Sequence, residues 1–168
     1  MKRLILIRHS KSSWDDEDTE DFNRKLSKRG ERDAKFMSEL LAKKIKKPDL
    51  ILTSQAYRSL RTAEYFADAF DIEDEKIIAD QGIYERGSKY IIQLLKDLDD
   101  NIQSIIVIGH NPDITTLANY FSGEYFENVP TTGIVGIDFK MKSWKDIEAK
   151  PGKLIFYEIP KKYLKKIK

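Results

Sequence analysis

The apolar positions of the chain fall into short solid runs and longer spaced stripes that take turns along its length. Residues 4–7, Leu-Ile-Leu-Ile flanked by charge, predict a strand buried on both faces. Over 31–46 the apolar residues Ala34, Met37, Leu40, Leu41 and Ile45 recur three or four apart, which predicts a helix with one buried stripe, framed by Gly30 and Pro48. A second strand is predicted at 49–53. A second helix over 58–70 carries Leu60, Ala63, Phe66, Ala67 and Phe70 at helical spacing. After a short extended piece at 77–78, Tyr90, Ile91, Leu94, Leu95 and Leu98 predict a helix over 89–98, and 104–108 is the clearest buried strand. A helix over 112–121 opens on Pro112, where a missing N–H breaks no helical hydrogen bond. The alternating segments 134–139 and 153–159, with Pro151-Gly152 between them, predict a hairpin.

Strands and helices in alternation predict an α/β fold of three layers, with a mainly parallel central sheet flanked by helices. No repeat or linker composition interrupts the pattern, so residues 1–168 read as a single domain, long enough for a sizeable core.

Charge and composition narrow the function. The 30 basic and 28 acidic side chains nearly cancel, and the lysine-rich end at 161–168 forms no aromatic-basic stacking pattern, so it reads as a solubilising tail and no nucleic-acid partner is expected. Residues 4–7 are too few for a signal-peptide core and no run approaches the roughly 18 apolar residues of a membrane span, so the expected location is cytoplasmic, with no membrane partner. With no cysteine, disulfides, thiolate metal sites and a cysteine nucleophile are excluded. The acidic residues Asp15, Asp16, Glu17, Asp18, Glu20 and Asp21 read as a solvated loop without metal-ligand spacing, and no metal or cofactor is expected. Oligomeric state is not encoded in any pattern of the chain.

Both histidines stand just past the carboxyl end of a predicted buried strand, His9 after 4–7 and His110 after 104–108. In open α/β sheets that edge is where ligands bind. Arg8 precedes His9, and Arg58 follows the second strand in the run Thr53-Ser54-Gln55-Ala56-Tyr57-Arg58. Arginine presents a planar fork of donors matched to phosphate oxygens, so the four residues suggest a phosphoryl site.

Arg8-His9-Ser10 resembles the RHG signature of the histidine phosphatase superfamily, the phosphoglycerate mutase-like fold. The run from Arg8 to Trp14, Arg24-Lys25-Leu26, the run from Arg29 to Ala34, the run from Ser54 to Ala63 and Gly109-His110-Asn111-Pro112 together resemble the short SixA-type phosphohistidine phosphatase branch. The resemblance implies that His9 is the nucleophile, that Arg8, Arg58 and His110 complete the phosphate pocket, and that Glu85 in Gly82-Ile83-Tyr84-Glu85 is an acidic proton donor. Ser10 replaces the family's glycine, placing a side chain where the backbone approaches phosphate, and altered fit is expected. Arg61 stands where glutamine is frequent and is expected to be an exposed charge.

Attack by neutral His9 would split hydrolysis into two steps through a phosphohistidine, with Arg8, Arg58 and protonated His110 neutralising the transferring oxygens. An alkoxide leaving group needs an acid, whereas imidazole from phosphohistidine leaves as a neutral base. Glu85 reads equally well as a surface carboxylate paired with Arg86 or Lys89. Lys11 reads as a loop charge, and Trp14 is expected to pack its loop down. Thr131 and Thr132 face the crevice or serve a turn, and Asn111 is a supporting residue that caps the helix at Pro112. The expected activity is a metal-independent phosphatase acting on phosphohistidine or another phosphoprotein. A small-molecule phosphomonoesterase and a non-catalytic phosphate-binding module are the alternatives, and a mutase is disfavoured because the chain has few insertions to enclose an intermediate.

Overall fold

The computed structural model describes residues 1–14 and 19–165, so part of the acidic stretch (15–18) and the end of the tail (166–168) lie outside the described residues. Strands β1 (Lys2–Arg8), β2 (Leu50–Ser54), β3 (Ile77–Asp80), β4 (Ser104–Gly109), β5 (Ile134–Phe139) and β6 (Gly152–Glu158) form one sheet in the order β3-β2-β4-β1-β5-β6. The first four of these in space run parallel; β5 is antiparallel to β1 and β6 to β5.

The side-chain alternation of each central strand divides the core. Ile5 and Ile7 of β1 and Ile106 and Ile108 of β4 pack with Met37 and Leu41 of α1 (Lys28–Lys44) and Ala63 and Phe66 of α2 (Tyr57–Phe70). Leu4, Leu6, Ile105 and Val107 point the other way. They meet Ile83 of α3 (Gln81–Glu85), Ile91 and Leu95 of α4 (Gly87–Lys96) and Ile114 and Leu117 of α5 (Asp113–Ser122). This is the three-layer arrangement that the solid apolar runs predict, since a strand covered on both faces has no polar side to show. Among the described residues no helix is long and apolar enough to cross a membrane.

Two details differ from the sequence reading. The hairpin partners β5 and β6 are joined by residues 140–151, which include a 3-10 turn at Trp144–Asp146 that buries Trp144, and not by a tight turn at Pro151-Gly152. Trp144 is anchored there by its indole N–H, which donates to the Ile102 carbonyl at 2.7 Å. Gly30, read as a helix boundary, lies within the first turn of α1, whose start is capped by the Ser27 hydroxyl accepting from the Gly30 N–H at 3.0 Å.

Gly30 is required by a close approach. A Cβ there would sit 2.0 Å from the carbonyl oxygen of Lys11, which itself accepts from the Ser27 N–H at 2.9 Å. The segment after β1 is thereby pinned to the start of α1. Gly30→Ala is expected to destabilise the fold by about 1–3 kcal/mol, the usual cost of overpacking, despite alanine's better helix propensity. Urea denaturation measures it; a stabilised variant would show that the Lys11 backbone can yield.

Candidate active site

β1 and β4 are parallel neighbours, with Arg8 opposite Gly109 in the ladder. The helices that follow them, α1 and α5, pack on opposite faces of the sheet, so a crevice opens between the two strand ends. His9 and His110 emerge into it side by side, with ring centroids 5.0 Å apart. From the end of β2 comes Ser54, and from the first turn of α2 come Arg58 and Ser59.

Each imidazole has a defined tautomer. His9 Nδ1 lies 2.8 Å from the Ser10 carbonyl, which can only accept, so Nδ1 carries the hydrogen and Nε2 keeps a free lone pair. Toward that lone pair points the Nε–H of Arg58, at 3.4 Å. Burial lowers the His9 pKa to about 3, helped by the neighbouring His110, Arg58 and Arg8 and opposed by the Ser10 hydrogen bond. His110 Nδ1 accepts from Arg58 Nη2 at 3.3 Å, and its Nε2–H donates to Ser54 Oγ at 2.8 Å. Burial, then Arg58, lowers its pKa to about 4. Desolvated beside a guanidinium, the His110 ring is held neutral near pH 7.

These shifts tie stability to pH. An unfolded chain protonates both histidines near 6.5, whereas the folded chain holds them neutral to lower pH. The unfolded state binds more protons in that window, so stability falls as pH drops from about 6.5 towards 4, by up to about 1.4 kcal/mol per pH unit for each ring. Above that window the two groups contribute no pH dependence. Urea midpoints at pH 7.5, 6 and 5 are expected to decrease in that order; a flat series would mean that the rings titrate normally.

Arg8 donates through Nη1 to the Val129 carbonyl at 3.1 Å, while its buried Nε has no partner among the described residues. Burial lowers the Arg8 pKa, a cost that an arriving anion offsets. Ser10 is fully buried. Its hydroxyl donates to the Gly30 carbonyl at 2.6 Å and lies 2.7 Å from Thr132 Oγ1, and its N–H donates to Thr62 Oγ1 at 2.9 Å. The serine side chain is thus taken up by the scaffold instead of crowding the crevice. Thr132 holds a left-handed backbone (φ 61°), a costly conformation for a β-branched residue, enforced by its N–H bond to the Arg8 carbonyl at 2.9 Å.

The remaining candidates take up other places. Asn111 ties the start of α5 to the loop that follows that helix: its Oδ1 accepts from the Thr115 N–H at 3.2 Å and its Nδ2 donates to the Val129 carbonyl at 3.0 Å. It buttresses the loop that holds Arg8. α5 itself begins after Pro112, with Asp113. Glu85 is exposed, and its carboxylate accepts from Gln81 at 2.9 Å on its own short helix. The preceding residue, Tyr84, faces the crevice, its ring edge-on to His110 with centroids 5.3 Å apart. Trp14 is 69 % exposed and stacks on the Arg24 guanidinium at 3.6 Å, so it does not pack its loop down. Lys11 is exposed, and Arg61 pairs with Glu64 and Glu31.

Asp21 and Tyr84 join the site without having been singled out from sequence. Asp21 ends the acidic stretch read from sequence as a solvated loop, but its carbonyl and carboxylate accept from Arg58 Nη1 and Nη2 at 2.7 and 3.1 Å. The Tyr84 hydroxyl donates to the same carboxylate at 2.6 Å. The only sequence signal was the negative charge of 15–21 lying between two basic motifs.

Two imidazoles and two arginines thus meet at the carboxyl edge of a switch-point sheet, a set of groups matched in chemistry to the oxygens of a phosphoryl-like anion. The chain belongs to the histidine phosphatase superfamily: the model of branch 1 of the superfamily matches residues 4–90, more than half of the chain. An uncharacterised chloroplastic protein of Arabidopsis thaliana is 34 % identical over 120 residues, 69 % of this chain and 51 % of the plant protein, so the chain matches about half the length of that relative. A crystal structure assigned as phosphohistidine phosphatase SixA from Agrobacterium tumefaciens superposes with a TM-score of 0.81 at 27 % identity, covering 95 % of this chain and 98 % of that one. The protein histidine phosphatase SixA complexed with tungstate shares the fold, with a TM-score of 0.76 at 20 % identity over 95 % of this chain and 98 % of that one.

Proposed function

We propose that the chain is a metal-independent phosphatase that works through a phosphohistidine on His9 and acts on phosphohistidine in a protein. The observation that carries this reading is the state of His9: a neutral ring, locked by Ser10 with its Nε2 lone pair facing the cationic crevice. In the first step Nε2 attacks phosphorus, the N–P bond forms, and the bond to the leaving group breaks with its electron pair. In the second, water attacks phosphorus, the His9 N–P bond breaks, and inorganic phosphate leaves. Arg58 and Arg8 hold the nonbridging oxygens, with His110 beside them, the Arg8 Nε having no other partner among the described residues. The entering dianion favours the protonated form of His110, so the ring gains a proton as substrate binds.

The position of Glu85 favours phosphohistidine as substrate. A carboxylate on the exposed side of α3, engaged with Gln81, is not placed to hand a proton to an alkoxide in the crevice. Imidazole needs no such donor once its other nitrogen is protonated. The test compares phosphate release from a phosphohistidine protein, a phosphoserine peptide and an aryl phosphate, with chelator present. Release is expected to be fastest from phosphohistidine, unaffected by chelator, and changed less than about threefold by Glu85→Gln. Preference for the phosphoserine peptide together with a large Glu85→Gln loss would establish a phosphomonoesterase; loss in chelator would refute metal independence.

A further inference from the structure

Beside the phosphoryl crevice lies a second arrangement of donors suited to an anion. Arg24 is held in place by Nη1 donating to Ser12 Oγ at 2.6 Å and by the stack with Trp14. Its Nε and Nη2 stand 3.1 and 3.0 Å from Asp21 Oδ1. Arg58 Nη2 and the Tyr84 hydroxyl donate to Asp21 Oδ2. Two guanidiniums and a phenol around one carboxylate make a carboxylate-recognition site, and the chain fills it with its own side chain. Those partners hold Asp21 ionised, its pKa drawn down to about 2 by Tyr84, Arg58 and Arg24 against the cost of partial burial.

We propose that Asp21 is a specificity-determining residue: an internal carboxylate that occupies a second anion subsite and turns away substrates carrying a carboxylate next to the phosphoryl group. Phosphoryl groups on neutral carriers, such as an imidazole side chain, meet no such repulsion. The inference rests on the phosphoryl-binding role of the crevice and adds to it the class of substrate refused. Arg58 does not depend on the Asp21 side chain for its placement, because Nη1 is fastened by the Asp21 backbone carbonyl at 2.7 Å, a bond that survives substitution.

The test uses 3-phosphoglycerate and glycerol 3-phosphate, which differ by a carboxylate in place of a hydroxymethyl group. Their dissociation constants are measured by calorimetry on His9→Ala protein, which prevents turnover, and their kcat/KM values on protein with His9 intact. Without further substitution glycerol 3-phosphate is expected to bind more tightly. Asp21→Asn, which keeps the shape and removes the charge, is expected to shift the affinity ratio towards 3-phosphoglycerate by about tenfold, the scale of one half-exposed charge a few ångströms away. Adding Arg24→Ala to Asp21→Asn is expected to abolish the gain, which a purely structural role for Asp21 would not do. An unchanged ratio, or equal weakening of both ligands, would overturn the proposal. Its failure is separable from that of the phosphatase reading: His9-dependent phosphate release with an unmoved ratio sinks only the subsite, whereas a shifted ratio without His9-dependent release sinks only the chemistry. Failure of both ligands to bind in every variant would count against both.

Discussion

His9→Ala is expected to lower phosphate release by about 10⁴-fold or more, because it removes the atom on which the covalent intermediate forms. The ring lies at the end of a strand and its Nδ1 bond is to the adjacent carbonyl, so its loss opens a small gap at the crevice and not in either core layer. Circular dichroism is therefore expected to be unchanged. A rapid quench with radiolabelled substrate is expected to leave label on the unsubstituted protein, as an acid-labile and alkali-stable N–P bond, and none on the variant. Retention of a tenth of the activity would mean that the intermediate forms elsewhere, and His110, its ring centroid 5.0 Å away, would be the first place to look.

Arg58→Ala is expected to lower kcat/KM by about 10²–10³-fold. One guanidinium there serves both rings and Asp21, so its removal takes away a phosphate donor and leaves the Asp21 carboxylate less compensated at the mouth. It also removes a cation that holds both imidazole pKa values down, so each pKa rises and the acid limb of the pH–rate profile moves to higher pH. Arg58→Lys is expected to restore only a small part, since a single ammonium cannot face His9 Nε2, His110 Nδ1 and the Asp21 carbonyl together. Kinetics from pH 4 to 8 measure both effects. A profile that keeps its acid limb would show that Arg58 binds phosphate without tuning the rings.

The parts of the fold legible in the sequence are those governed by local periodicity. Residues 4–7 and 104–108 read correctly as doubly buried strands because both their faces are apolar, and α1 and α2 because their stripes are long. Chemistry was legible where it sits at strand ends: Arg8, His9 and His110 lie where the topology brings ligands, and Arg58 follows β2 closely enough to be placed with them. Tyr84 and Asp21 were not, because their positions are set by contacts across 63 residues of chain within segments that carry no long apolar stripe. Glu85 was drawn towards the site by its motif. A helix of five residues decides which of two neighbours faces inward, and it turned Tyr84 to His110 and Glu85 outward. Ser10 and Trp14 show the same limit, since side-chain direction at these loops depends on partners such as Gly30, Thr132 and Arg24 that spacing does not reveal.

The pairing of Arg8 with Gly109 across β1 and β4 also means that the two rings belong to separable lengths of chain. The turn at Asp74–Lys76 is exposed and lies between them in sequence but away from them in the sheet. Cut there, the chain gives one fragment bearing His9 and Arg58 and another bearing His110, neither of which holds the reactive pair. Turnover then requires β4 of one piece to insert between β1 and β2 of the other, so catalysis becomes a reporter of fragment association.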